Sequence, residues 1–309
     1  MLTLYNVYLL LIYLFLFYIY IDCLRVGDYV TFRNVKFDSF LSGEGILLED
    51  LVIDDALLSF DDSVFSIHLQ RQYSAAIELE EFLAAYQEKM KLGTTATFAA
   101  IAAAIAESDD GSVQKYLHAL KRCLYNETVL NESYMKQKLG RPVVFGDIIQ
   151  LFHVKSQKYV TVTDDQLAKE ERENMMIQLD SKGSPFSWIQ LAPRYKIDKD
   201  GDKINTNTEI YLKVAERLNE FVHAAERENI PKGSRADAHV REVNCSLESS
   251  SWRLGIFQSS TASMEKAMLL SSQIVTIQDP ETKSFLTLGL PKVESLDDDE
   301  LGETTTMGS

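Results

Sequence analysis

The fold is decided by residues 147–161, which read DIIQLFHVKSQKYVT. A polar residue, Asp147, leads an apolar run, and an aromatic residue, Tyr159, begins a second run 12 positions later. The first run is rich in residues that favour strands, and the segment between the two runs is polar. The stretch therefore predicts a hairpin of two strands.

The same frame occurs at four places along the chain. In each, a polar residue leads the first strand and an aromatic residue 12 positions later begins the second: Asp28 and Phe40, Asp147 and Tyr159, Glu209 and Phe221, and Gln273 and Phe285. One hairpin cannot bury its apolar face alone, whereas three arranged around a pseudo-threefold axis can. The repeat predicts a mainly β protein, a β-trefoil over residues 24–258, with the start of a second, truncated β-trefoil.

Each of the first three units also ends on a strand that contains an aromatic residue. These residues are Phe65, Trp188 and Trp252, and the last two are the only tryptophans of the chain. Their similar positions predict a shared role in the core rather than a ligand site.

Residues 73–139 interrupt the repeat, and the apolar period changes there from 2 to about 3.5. One predicted helix carries a stripe at Ala76, Leu79, Leu83, Tyr86 and Met90. An alanine-rich helix is predicted over residues 96–106, and a third helix carries Val113, Tyr116, Leu120 and Cys123 on one face. We expect a helical arm that uses these stripes for its internal packing.

Composition excludes several classes of function. The net charge is -15, which argues against binding to nucleic acid or to acidic membranes. The three cysteines, Cys23, Cys123 and Cys245, have no metal-ligand spacing and are expected to be reduced thiols. We find no catalytic, cofactor-binding or metal-ligating residues and expect no cofactor and no enzymatic activity.

One segment comes close to a calcium-binding loop. Residues 198–202 and Glu209 match positions 1, 3, 5 and 12 of an EF-hand, but Lys203 replaces the glycine of position 6. The flanking residues are typical of strands rather than helices. We expect a hairpin turn there. The five histidines, His68, His118, His153, His223 and His239, have no short metal spacing and are expected in structural or surface roles.

The two ends of the chain have unusual compositions. Residues 1–21 carry no charge, so residues 1–23 form a hydrophobic leader. It is a membrane anchor, an uncleaved signal or sequence upstream of the true start, and we favour the last because the strand pattern begins at Leu24. At the other end, we expect a linker at 259–272, the first hairpin of a second β-trefoil domain at 273–290, and an acidic disordered tail at 291–309.

The residues resemble those of the inositol trisphosphate receptors and their ryanodine receptor relatives. The resemblance is carried, in family order, by residues 24–30, 145–162, 187–188, 193–196, 201–202 and 242–252. In that family the first trefoil carries a helical arm at the same place. It is a suppressor domain that faces the cytosol, lowers ligand affinity and passes the binding event to the pore through contacts between subunits.

The resemblance implies the amino-terminal domain of a ligand-gated calcium-release channel of the endoplasmic reticulum membrane. Its partners would be other domains and subunits of the same channel, which is tetrameric at full length. The family's ligand pocket, between the second trefoil and a helical solenoid, and its pore helices both lie beyond this sequence. We therefore expect no binding of inositol trisphosphate by this segment alone, and membrane contact only through residues 1–21.

Two features leave room for other interpretations. In the loop after Trp188, where family members present an exposed aromatic residue for coupling, this chain has Gln190, which puts coupling through that loop in question. The second and fourth units also look like MIR modules, which occur in lumenal O-mannosyltransferases. The rival is a lumenal quality-control or glycosyltransferase-accessory module, marked by glycans at Asn126, Asn131 or Asn244. A lectin-like trefoil is a third alternative.

Overall fold

The computed structural model describes residues 23–45, 49–54, 61–90, 97–108, 110–226 and 240–258. Twelve strands lie in these ranges: β1 (Tyr29–Asn34), β2 (Phe40–Glu44), β3 (Asp50–Asp54), β4 (Phe65–Leu69), β5 (Ile148–His153), β6 (Lys158–Leu167), β7 (Met175–Asp180), β8 (Ile189–Pro193), β9 (Glu209–Val214), β10 (Phe221–Ala224), β11 (Arg241–Ser246) and β12 (Ser251–Gln258). The helices there are α1 (Ser74–Lys89), α2 (Phe98–Glu107) and α3 (Gly111–Lys138), with a short 3-10 helix at Pro185–Ser187. The protein is mainly β, as the repeat predicts.

Six of the strands close a barrel. Around the ring, β1 pairs with β4, β4 with β5, β5 with β8, β8 with β9, β9 with β12, and β12 with β1, and every pair is antiparallel. The ring uses the first and last strand of each four-strand unit. Closure leaves the barrel without a free strand edge.

The two inner strands of each unit form a hairpin. These hairpins are β2–β3, β6–β7 and β10–β11. They also pair with one another through β3, β7 and β11, so that three hairpins meet over one end of the barrel. A six-stranded barrel capped by three hairpins is the arrangement expected of a β-trefoil.

A turn of the same design precedes the first strand of each unit. The side-chain oxygens of Asp28, Asp147 and Thr208 accept hydrogen bonds from the backbone N–H groups of Arg25, Val144 and Asn205 at 2.7, 3.2 and 3.3 Å. The residue before each of them has a positive φ: 87° at Gly27, 90° at Gly146 and 64° at Asn207. Glycine and asparagine are the residues that tolerate this conformation.

The sequence frame is wrong by one residue in the third unit. The barrel pairs Val30 with Phe65, Ile149 with Ile189 and Ile210 with Trp252. This register makes Thr208, rather than Glu209, the counterpart of Asp28 and Asp147. The physical reason is a longer turn, because Phe221 lies eight positions after its partner Lys213, whereas Phe40 lies seven after Arg33.

The two tryptophans are not equivalent. Trp252 is fully buried in the barrel, and its indole N–H donates to the Val222 carbonyl at 3.1 Å. The counterpart of Trp252 in the second unit is Ile189, and a shift of one residue turns a side chain to the opposite face of a strand. Trp188 is therefore only half-buried, and the prediction of a shared core role is wrong for it.

The three helices form the arm between β4 and β5. Their core consists of six buried residues: Leu79, Leu83, Ile101, Ile105, Leu117 and Leu120. In α1 the predicted stripe is confirmed at Leu79 and Leu83, but Met90 at its end is 53% exposed.

In α3 the predicted packing face is confirmed at Val113 and Leu120 but not at Tyr116 and Cys123. Leu117 and Leu120 are buried with Val113 and Leu124 packed beside them, whereas Tyr116 and Cys123 are exposed. A helical period fits both stripes, and the purely apolar leucines take the inner one.

The barrel core is formed by large apolar side chains from all three units. The largest buried ones include Phe32, Phe65, Phe145 and Trp252. The predicted leader up to residue 22, the linker at 259–272, the hairpin at 273–290 and the tail at 291–309 lie outside the described residues.

Candidate functional site

The connection between β8 and β9 presents two apolar side chains to solvent. It begins after Pro193, which has no N–H to continue a strand ladder. Tyr195 is 51% exposed and Ile197 is 83% exposed. A hydrogen bond of 3.1 Å from the N–H of Asp198 to the carbonyl of Tyr195 folds the segment into a turn. A loop of this kind on a rigid barrel is suited to contact another protein.

Glu209, the first residue of β9, fixes the position of the tyrosine. Its Oε2 accepts a hydrogen bond from the Tyr195 hydroxyl at 2.7 Å and another from Arg194, and its Oε1 accepts one from Arg253 of β12 at 2.9 Å. The hydrogen bonds from Tyr195 and Arg253 lower the pKa of Glu209, and the bond to Glu209 raises the pKa of Tyr195. The loop is thus tied to two barrel strands by an ionised carboxylate.

Gln190 does not lie in this loop. It lies within β8, paired with Ile148 and Lys213, and its side chain donates to the Gly146 carbonyl at 3.3 Å. The exposed aromatic residue of the loop is Tyr195, five positions further on. A loop counted from Trp188 does not reach Tyr195, because the strand runs on to Pro193.

The segment that resembles a calcium loop is the second half of the same connection. Gly201 has a φ of 93° and donates to the Phe145 carbonyl at 2.8 Å, and Asp202 accepts a hydrogen bond from the Lys199 N–H at 2.8 Å. Glu209 is held by two arginines. The segment is a turn between the antiparallel strands β8 and β9, as predicted.

Three of the histidines are part of the packing. His153 contacts the Ser156 hydroxyl at 2.7 Å and the Asp62 carbonyl at 2.9 Å, His68 contacts the Tyr159 hydroxyl at 3.1 Å, and His223 contacts the Ser250 hydroxyl at 3.1 Å. Burial lowers the pKa of all three, that of His68 to about 4. His118 is exposed on α3, and His239 lies outside the described residues.

In the part of the chain that the structure describes, no group of three or more histidine, cysteine, aspartate or glutamate side chains is arranged to hold a metal ion. No helix in those same ranges combines the length and the apolar character needed to cross a bilayer.

The chain is similar in sequence to proteins of one known family. A family model described as inositol 1,4,5-trisphosphate/ryanodine receptor matches residues 20–263. The chain belongs to this receptor family. The match contains every described residue, so barrel, cap and arm all lie in the family region. The family is one of ligand-gated channel receptors and is not an enzyme family.

The curated proteins include a relative of the same family. The inositol 1,4,5-trisphosphate receptor itr-1 of Caenorhabditis elegans is 30% identical over 179 residues, which is 57% of this chain and 6% of the relative. The chain therefore spans a small part of the length of the curated relative that it matches.

Proposed function

We propose that this chain is the amino-terminal regulatory domain of an intracellular calcium-release channel of the inositol trisphosphate receptor type. It couples ligand binding to gating by contacting other domains and subunits of a tetrameric channel. The functional unit is residues 24–258 with the arm at 73–139, facing the cytosol at the endoplasmic reticulum membrane. Family membership and the similarity to the worm receptor support the proposal.

The observation that carries the proposal is the β8–β9 loop. A domain that regulates without catalysing acts through contact, and aromatic side chains are enriched in protein interfaces. Tyr195 and Ile197 are exposed, while Glu209 and its arginines hold the loop on the barrel. The loop therefore meets a partner without first having to be ordered, which lowers the entropic cost of contact.

A chimeric receptor tests this role. Residues 24–258 replace the matching region of the worm receptor, and calcium release is measured against inositol trisphosphate concentration. We expect Tyr195→Ala to raise the half-maximal concentration by about fivefold or more. The control is Leu247→Ala, which removes a side chain that is 73% exposed in the β11–β12 turn. Equal curves for both variants and the parent would contradict the role of the loop.

We further propose that residues 24–309 alone neither bind inositol trisphosphate nor conduct calcium. A trisphosphate needs several cationic side chains that are not already neutralised. Carboxylates already pair with five arginines: Arg33, Arg141, Arg194, Arg217 and Arg253. Calorimetric titration is expected to show no binding heat, and salt-sensitive micromolar binding would overturn the proposal.

The rival, a lumenal MIR protein, is favoured by one observation and has a sharp test. Asn126 is exposed on α3, so a glycan could attach there. Asn131 instead exchanges two hydrogen bonds of 2.9 Å with the Gln72 backbone, and Asn244 is fully buried. Mass spectrometry of the chain from eukaryotic cells is expected to find Asn126 unmodified, and a glycan there would favour the lumen.

A further inference from the structure

One position of the pseudo-threefold repeat differs between units by a single hydroxyl. Phe40, Tyr159 and Phe221 are counterparts at the start of the second strand. Only the second unit, which adjoins the arm, has a tyrosine there. The Tyr159 oxygen accepts a hydrogen bond from Arg71 Nη1 at 2.9 Å and lies 3.1 Å from His68 Nδ1.

These three side chains form a directed chain of hydrogen bonds. A guanidinium can only donate, so the Tyr159 oxygen must accept from Arg71. The hydroxyl proton is then available to Nδ1 of a neutral His68. Aromatic packing supports the arrangement, because the His68 ring stacks on Phe152 at 4.6 Å with an interplanar angle of 13°, and Phe152 lies 4.9 Å from the Tyr159 ring.

A second set of contacts holds the backbone of Arg71. Gln150 is fully buried in β5; its Oε1 accepts from the Arg71 N–H at 3.1 Å, and its Nε2 donates to the Tyr73 hydroxyl at 2.8 Å. The Trp188 indole donates to the Arg71 carbonyl at 3.0 Å. Both backbone groups of Arg71 are thus bonded to barrel side chains.

Among the three units, Gln150 and Trp188 occur only in the second, whose first strand follows the arm. By register, the counterparts of Gln150 are Thr31 and Tyr211, and the counterparts of Trp188 are Val64 and Ser251. The first and third units therefore have side chains of different chemistry at both positions.

The arm also forms hydrogen bonds to residues 72–75, through side chains of α3. Asn131 of α3 bonds both backbone groups of Gln72, and Glu127, one turn earlier, accepts from the N–H of Ala75 at 2.8 Å. Residues 71–75 therefore lie between two sets of bonds, one from the barrel and one from α3.

We propose that six side chains form a rigid joint, so that the arm and the barrel move as one rigid body. These side chains are His68, Arg71, Tyr73, Gln150, Tyr159 and Trp188. A displacement of the arm then moves β4, β5 and β6 instead of being absorbed at the junction. The joint is a conformational device of the chain itself, and it holds whether or not the proposed channel role is correct.

Distance measurement between spin labels on the whole chain tests the joint. One label is attached to Cys123, which is exposed on α3, and the other to Leu218→Cys, whose parent side chain is 85% exposed in the β9–β10 turn. Cys23 and Cys245 are 2% and 1% exposed, so they are protected from labelling. The parent is expected to give one narrow distance distribution.

Tyr159→Phe keeps the ring and its packing but removes the hydroxyl. We expect the distance distribution to broaden by about twofold and amide exchange at residues 71–77 to accelerate by about tenfold. The matched control is Tyr211→Phe, which removes a hydroxyl from the third unit and is expected to leave both unchanged. A Tyr159→Phe distribution as narrow as that of the parent would overturn the joint.

A second variant covers the case in which Tyr159→Phe folds poorly. Arg71→Met removes the guanidinium but leaves the backbone bonds to Gln150 and Trp188. We expect it to broaden the same distribution while the thermal melt stays cooperative. A cooperative melt with a narrow distribution in this variant would also overturn the joint.

Discussion

Tyr159 forms hydrogen bonds through its hydroxyl at a position where the other two units have a phenylalanine ring that only packs. Its ring fills the place that phenylalanine fills in the other two units, and the residue is only 4% exposed. Its hydroxyl engages Arg71 and His68, which are 88 and 91 positions away in sequence. A buried polar atom is favourable only with partners, so this group of residues is expected to respond as a unit.

His68 should make part of the stability depend on pH. Burial first, and then the nearby Arg71, lower its pKa in the folded protein from 6.5 to about 4. The part of the free energy of unfolding that depends on a neutral His68 is therefore fully present above pH 6.5 and is lost as the pH falls toward 4. We expect His68→Gln to reduce the loss of unfolding free energy between about pH 7 and about pH 4.5 by roughly 2–3 kcal/mol. Urea denaturation checks this, and an unchanged pH dependence would contradict it.

Substitution of Gly183, which lies beside the joint, should lower the free energy of unfolding more than substitution of Gly201. A Cβ there would lie 2.6 Å from the Tyr73 hydroxyl, at a φ of 69°. The control is Gly201→Ala, where φ is also positive but nothing beyond the two neighbouring residues of the chain lies within 4 Å of the added Cβ. We expect Gly201→Ala to cost about 1 kcal/mol and Gly183→Ala at least about 1 kcal/mol more in urea denaturation. Equal losses would mean that the close contact has no effect.

At the scale of elements, the arm is better understood from its partner helices than from local sequence. The three helices are predictable because their apolar residues recur with a helical period. The start of α1 is not predictable from local sequence, because Tyr73 provides no side-chain cap. The groups that bond the backbone there come from Glu127 and Asn131 of α3. Part of the packing face of α3 is missed for a related reason, since only tertiary contact selects Leu117 over Tyr116.

Glu127 should therefore stabilise a helix to which it does not belong. Its carboxylate accepts from the N–H groups of Ala75 and Ala76 at 2.8 and 3.4 Å. We expect Glu127→Ala to lower the free energy of unfolding by about 1 kcal/mol. Glu132→Ala, at an exposed position of the same helix, should change it by less than about 0.5 kcal/mol. Similar values for the two variants would contradict the capping role.

At the scale of the whole molecule, the repeat predicts a mainly β trefoil and the place of the arm. It pairs the first strand of each unit with the second, whereas the three hairpins of the structure are formed by the second and third strands. The period of a strand pair is local, so it survives in one sequence. What it misses depends on register, because one extra residue in the third unit moves Thr208 into the place given to Glu209. The same one-residue limit explains why Trp188 is expected in the core, whereas Gln190 is expected in the loop because the strand runs on to Pro193.

The central claim, that this domain regulates a receptor whose ligand it does not itself bind, can be tested by one affinity measurement. Inositol trisphosphate is titrated by calorimetry into the ligand-binding region of the worm receptor, first alone and then joined to residues 24–258 of this chain. We expect the joined protein to bind about tenfold more weakly, the size of an ordinary coupling free energy. Equal affinity in the two proteins would contradict the claim.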